Sequence, residues 1–152
     1  ISTETDSNVL AEAANSLFEF GAPAIPLLAD LFMAQDHWLL RQTILALLIS
    51  RTDVGTLFEV AAQGLDDDTQ TVKETAILAL RQVWGSDYEA QALVKLTEQA
   101  RSEDWRDRWR TATALTGCTV PEAKALLAVL QRDAHHRVVA AALEASMAAH
   151  GE

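Results

Sequence analysis

Apolar side chains in this chain return to the same places about every thirty-three residues, and that recurrence limits the folds open to it more than any other feature. Leu40, Val72, Trp105 and Val138 are separated by 32, 33 and 33 residues. Four further columns keep the same step. Upstream lie Leu28, Val60, Leu93 and Leu126, then Ile25, Leu57, Ala90 and Ala123; downstream lie Ile44, Ala76, Trp109 and Ala142, then Leu47, Ala79, Ala112 and Ala145. Within each unit the apolar spacing is three and four, the period of a helix face, and no strand-like alternation stands out. Breaks fall at Gly21-Ala22-Pro23, Gln35-Asp36, Thr52-Asp53, Asp66-Asp67-Asp68, Gly85-Ser86-Asp87, Ser102-Glu103-Asp104, Gly117 to Pro121 and Asp133, which divides the chain into roughly nine helices. A unit of two helices buries too little apolar surface to offset its own ordering entropy, so stacked neighbours are required.

Composition agrees with helices. Alanine occurs 27 times, and only 6 Gly and 3 Pro occur in 152 residues. Ala at helix crossings lets axes approach closely, and Leu, Ile and Val fill the space between layers. The expectation is an all-α fold of one domain: a partial unit at 1–21 with Val9, Ala13, Leu17 and Phe20 as its surviving apolar face, then units at about 22–52, 53–85, 86–117 and 118–150. Such a chain can be part of a longer array.

Residue types then distinguish repeats of similar length. The ankyrin Thr-Pro-Leu-His signature and the tetratricopeptide pattern are missing. The segment Asp67-Asp68-Thr69-Gln70-Thr71-Val72-Lys73-Glu74-Thr75-Ala76-Ile77-Leu78-Ala79-Leu80 resembles a HEAT repeat, with a turn Asp, a Val followed by a basic residue, and alternating Ala and Leu. Asp36 with Leu40-Arg41 and Leu47-Leu48 is a looser copy, and Ala24-Ile25-Pro26-Leu27-Leu28 resembles that family's first helix. The similarity is greatest to the short bacterial repeats called phycobilisome-lyase HEAT-like, and it spans about residues 9–149. It implies a right-handed α-α superhelix of four to five hairpins whose second helices line the inner face. The third unit departs from the pattern, with Trp105-Arg106 and no Asp at the usual upstream place, and the fourth has Val139 where the basic residue belongs. Turn acids can cap or pair with the basic residue that follows, which suggests Asp36 with Arg41 and Asp67 with Lys73.

Catalytic chemistry has no local motif behind it. The histidines are His37, His135, His136 and His150; adjacent His135 and His136 are expected to point apart, and the His-Glu dipeptides of HEAT-repeat hydroxylases are lacking. Cys118 follows Gly117 with no histidine close in sequence to lower its pKa, so an incidental or buried thiol is expected. The three acids Asp66-Asp67-Asp68 lack the alternating ligands of a Ca²⁺ loop and read as a solvated cap. Trp38 and Trp84 read as packing residues. No metal or other cofactor is called for.

The stretch Arg101 to Arg110 is different in kind, because it holds two Trp and four Arg in ten residues. Trp105 and Trp109 share a helix face, with Arg106 and Arg110 on the adjoining stripe. His135, His136 and Arg137 begin the next second helix and extend the same basic side, and Arg41 and Lys73 stand in earlier units at the place of Arg106. Trp and Arg are the residue types that dominate binding hot spots. The competing structural reading puts both Trp in the apolar columns of Val72 and Ala76, with the Arg side chains paired to Glu103, Asp104 and Asp107.

Charge selects among partners. The chain carries 22 acids against 12 bases, a net charge of -10, which opposes sequence-independent attraction to a phosphate backbone. Residues 1–68 hold 11 acids and 2 bases, residues 69–152 hold 11 and 10. No apolar run approaches the roughly 20 residues that span a bilayer. The reading favoured is a non-catalytic scaffold that binds a protein partner, with no membrane contact and the cytoplasm as the favoured compartment. The resemblance also implies a chromophore-handling alternative, in which a tetrapyrrole is cradled as in phycobilin lyases, and a base-repair or nucleic-acid-binding alternative that the net charge opposes.

Overall fold

A computed structural model describes residues 37–49 and 53–150, together with Glu12, Ala29, Asp30 and Phe32. Apart from Glu12, the expected partial unit at 1–21 lies outside the described residues, as do the first-helix positions Ile25, Pro26 and Leu28, and Asp36. The described residues form seven α-helices and no strand. The chain divides into two compact units, Ile1–Ala79 and Leu80–Glu152.

In the first unit, α1 (Trp38–Ile49), α2 (Val54–Gly64) and α3 (Gln70–Ala79) pack on one another. Asp53 starts α2 as sequence logic predicts, its carboxylate accepting from the Thr56 N–H at 3.3 Å and the Thr56 hydroxyl at 2.9 Å. Leu40, Ile44, Leu45 and Leu48 of α1 meet Leu57, Val60 and Ala61 of α2 and Val72, Ala76 and Ile77 of α3 in a closed core. At Gly64 α2 and α3 approach closely: a Cβ placed on it would lie 2.8 Å from Cβ of Ala76.

The second unit begins with a 3₁₀ turn, Leu80–Val83, followed by α4 (Glu89–Gln99), α5 (Trp105–Ala114), α6 (Pro121–Leu130) and α7 (His136–His150). Alternate helices pack on each other, α4 on α6 and, most extensively, α5 on α7, while sequential neighbours also touch. Pro121 opens α6 at a position where its missing N–H costs nothing. Gly85 and Gly117 take φ of +82° and +88° and let the chain turn after the preceding helical segments. Between those turns the Trp84 indole donates to the Ala114 carbonyl at 2.8 Å, which satisfies a helix-end acceptor. Cys118 is buried, as expected, and burial pushes its thiol above the ordinary value.

Among the described residues most column positions are buried, but Leu47 and Leu126 are half-buried, Ala90 is exposed, and the second helix of the third unit departs from the sequence reading. Leu40, Val72 and Val138 are fully buried, as are Ala76, Ala79, Ala112, Ala142 and Ala145. In α5, however, the inward positions matching Val72 and Ala76 are Asp107 and Thr111, and Trp105 and Trp109 stay half-exposed. The true steps are therefore 32, 35 and 31 residues, from Leu40 to Val72, Asp107 and Val138. Asp107 tolerates an apolar slot because the Ser102 hydroxyl donates to its Oδ2 at 2.7 Å.

In the corrected register the basic residue of the third unit is Arg108 in place of Arg106. Arg41 follows Leu40, and Arg108 follows Asp107. Arg41 grips Asp67 with Nε–Oδ2 at 2.6 Å and Nη2–Oδ1 at 3.1 Å; Arg108 grips Asp133 at 2.7 and 3.1 Å. Each Asp also accepts from the N–H two residues on, Thr69 or His135, at 2.9 Å. The basic side chain thus clamps the turn of the following unit, a long-range pairing that the local expectation of Asp36 with Arg41 and Asp67 with Lys73 does not include. Consequently Asp67, the middle acid of its run, is no solvated cap: its side chain is 7% exposed.

Candidate functional site

Asp107 and Thr111 turn inward, so α5 presents Trp105 and Trp109 on another side, toward α7. Their rings sit 5.7 Å apart, as expected for positions i and i+4. His135 lies flat on Trp105, with centroids 4.0 Å apart and planes 3° from parallel, and His136 continues the stack at 4.7 Å from His135. The expectation that the two histidines point apart is wrong. It assumed a helical step between them, but His135 belongs to the turn before α7, where its Nδ1 accepts the Arg137 N–H at 3.2 Å.

Two guanidinium groups complete the cluster. Arg110 lies 3.9 Å over the Trp109 ring, and Arg137 stands 5.6 Å from Trp109 and 5.8 Å from Trp105, within the reach of cation–π attraction to both. Between α5 and α7 a groove of about 450 Å³ opens beside this cluster. Trp109, Arg110 and Thr113 form its α5 side, and Arg137, Ala141 and Glu144 its α7 side.

Desolvation against its stacking partners lowers the His135 pKa below the ordinary histidine value, and the neighbouring His136 and Arg137 charges act in the same direction. At Asp133 burial works to raise the carboxyl pKa, but the Arg108 hydrogen bonds, the His135 N–H and the Arg108 charge overcome it and hold the carboxyl below its usual range. The same fork raises Arg108. The Arg108–Asp133 fork thus holds the turn beneath Trp105.

Of the side chains singled out in the sequence, Trp105, Trp109, Arg110, His136 and Arg137 meet in this one cluster. Arg106 does not enter the stack; its guanidinium turns back on Asp104, Nη2 to Oδ2 at 2.7 Å, while Asp104 caps α5 through the Arg106 N–H at 2.9 Å. Arg41 and Lys73 belong to the first unit, where Arg41 serves the Asp67 clamp. Sequence reasoning passed over His135 as a site residue, as well as Thr113 and Glu144. The signal for His135 was its place two residues after a turn Asp, which fixes its backbone; Glu144 shares a face with Arg137 at i+7 and was readable from helical spacing alone.

A second depression, of about 310 Å³, lies along α4 and carries Glu89, Leu93, Val94 and Glu122 on its walls. Among the described residues no three His, Cys, Asp or Glu side chains converge in a way that could hold a metal ion, and no helix is long and apolar enough to cross a membrane. Comparison with models of known protein families and with curated proteins finds no match to this sequence.

Proposed function

We propose that this chain is a non-catalytic binding module built from HEAT-like hairpins stacked as a right-handed α-α superhelix, and that it holds a protein partner on the face of its second helices. The observation that carries this reading is the half-exposed, mutually stacked group of Trp105, Trp109, Arg110 and Arg137 beside a groove. Large aromatic and guanidinium groups already ordered by their neighbours lose little entropy on binding, so their contacts convert efficiently into affinity. A net charge of -10 favours protein over nucleic acid as the partner.

The test is affinity capture from native lysate with the wild-type chain and with Trp109→Ala/Arg110→Glu. Loss of a captured protein at unchanged helicity is the expected result. Undiminished capture defeats the reading, and loss of helicity would assign the Trp side chain to the core instead.

A further inference from the structure

The groove between α5 and α7 has a charge polarity of its own. Arg137 stands at the second residue of α7, where the positive end of the helix dipole adds to its charge, with Arg110 across the groove. Glu144 lies seven residues further along α7, which at about 1.5 Å per residue places it roughly 10 Å away. Between these ends lie buried Ala141, which leaves room for an incoming side chain, and the indole of Trp109. Among the described residues no ion pair is formed by Arg137 or Glu144.

We infer that this groove binds an extended peptide segment of about three residues, with an acidic side chain at the Arg110/Arg137 end, an apolar one against Trp109 over Ala141, and a basic one at Glu144. Its length matches an extended chain, which advances about 3.3 Å per residue. The carboxylate would face guanidinium donors held in place by indole rings, a setting that favours forked hydrogen bonds. Charge complementarity fixes the class of partner: the cationic end is a local exception on a strongly acidic chain, so a short segment with one acid fits, whereas a long polyanion is repelled by the net charge. The inference rests on the protein-binding reading and specifies what is bound.

The experiment titrates the full chain with the capped peptide Gly-Ser-Glu-Leu-Lys-Ser-Gly, the same peptide with Gln in place of Glu, and a twelve-residue oligothymidylate, followed by tryptophan fluorescence and calorimetry. The Glu peptide is expected to bind at least about tenfold more tightly than the Gln peptide, the scale of a charge-assisted contact. Arg137→Gln and Arg137→Glu should remove that preference at unchanged helicity. Equal binding of the two peptides by the wild-type chain, absence of binding at millimolar peptide, or tighter binding of the oligonucleotide overturns the inference, and these outcomes do not depend on any variant folding. Self-association that saturates the groove, seen as a sedimentation shift which the peptide cannot reverse, overturns it as well. If the peptide fails while lysate capture is still lost in Trp109→Ala/Arg110→Glu, the protein-binding reading stands and the acidic-segment assignment alone falls.

Discussion

Arg108 clamps Asp133 at two points, Nε to Oδ2 at 2.7 Å and Nη2 to Oδ1 at 3.1 Å, and in the same pose donates to the Ser102 carbonyl at 2.8 Å. One side chain therefore ties the turn before α5 to the turn before α7. The two partners are largely buried, at 18% and 9% exposure, so removing either leaves the other short of hydrogen bonds in a poorly solvated place. Arg108→Met is expected to lower unfolding free energy by about 2 to 3 kcal/mol, and Asp133→Ala by a similar amount, with strong non-additivity in the double variant. Urea denaturation of the four proteins of the cycle measures both the losses and the coupling.

The pair also sets an acid limit. The folded Asp133 carboxyl lies below its usual value, so its stabilisation is complete above the unfolded carboxyl pKa near 3.9 and is lost as pH falls further, toward the folded value. His135 acts earlier and in the same sense. Its folded pKa is below the ordinary value near 6.5, so the unfolded chain takes up a proton first and stability drops as pH falls through that region. Denaturant midpoints from pH 7.5 to 5 should therefore decline in the wild type, and less in His135→Phe, which keeps a ring on Trp105 without the titration.

Ser102 occupies the turn position held by Asp67 and Asp133 in the units to either side, and the reason is Asp107. The Ser hydroxyl accepts from the Asp104 N–H at 3.1 Å and donates to the buried Asp107 carboxylate at 2.7 Å. A carboxylate at 102 would serve the first contact but oppose the second. Ser102→Asp is expected to destabilise by about 2 kcal/mol or more. Adding Asp107→Val, which copies Val72, should recover much of that loss. Thermal melts of the single and double variants decide it; equal destabilisation in both would mean that Asp107 does not govern the choice.

These relationships explain what was legible in the sequence. Helix class and the buried Leu40, Val72 and Val138 follow from apolar spacing, because each is a large aliphatic in a slot that excludes water. The third unit misleads the same reasoning: hydrophobicity assigns Trp105 and Trp109 to the inward columns and Asp107 outward, whereas one hydroxyl five residues upstream makes the reverse arrangement stable. The Arg forks were hidden for another reason. They span 26 and 25 residues, beyond any local pairing rule. At the site, the shared face of the Trp pair was readable from i, i+4 spacing, while the His135 stack depends on a turn conformation that composition does not encode.

Gly64 offers a test of packing in the first unit. Alanine would gain up to about 1 kcal/mol of helix propensity there, but its Cβ would fall 2.8 Å from Cβ of Ala76 and 3.2 Å from Cδ1 of Leu45, both in the core. The Ala76 methyl is fixed to its helix backbone and cannot move aside, so overpacking of about 1 to 3 kcal/mol outweighs the propensity term. Gly64→Ala is expected to lower the melting temperature. Gly64→Ala/Ala76→Gly exchanges the methyl group across the contact and should lose less than the sum of its two single changes. Additive losses would show instead that the α2–α3 approach relaxes freely and that Gly64 is retained for another reason.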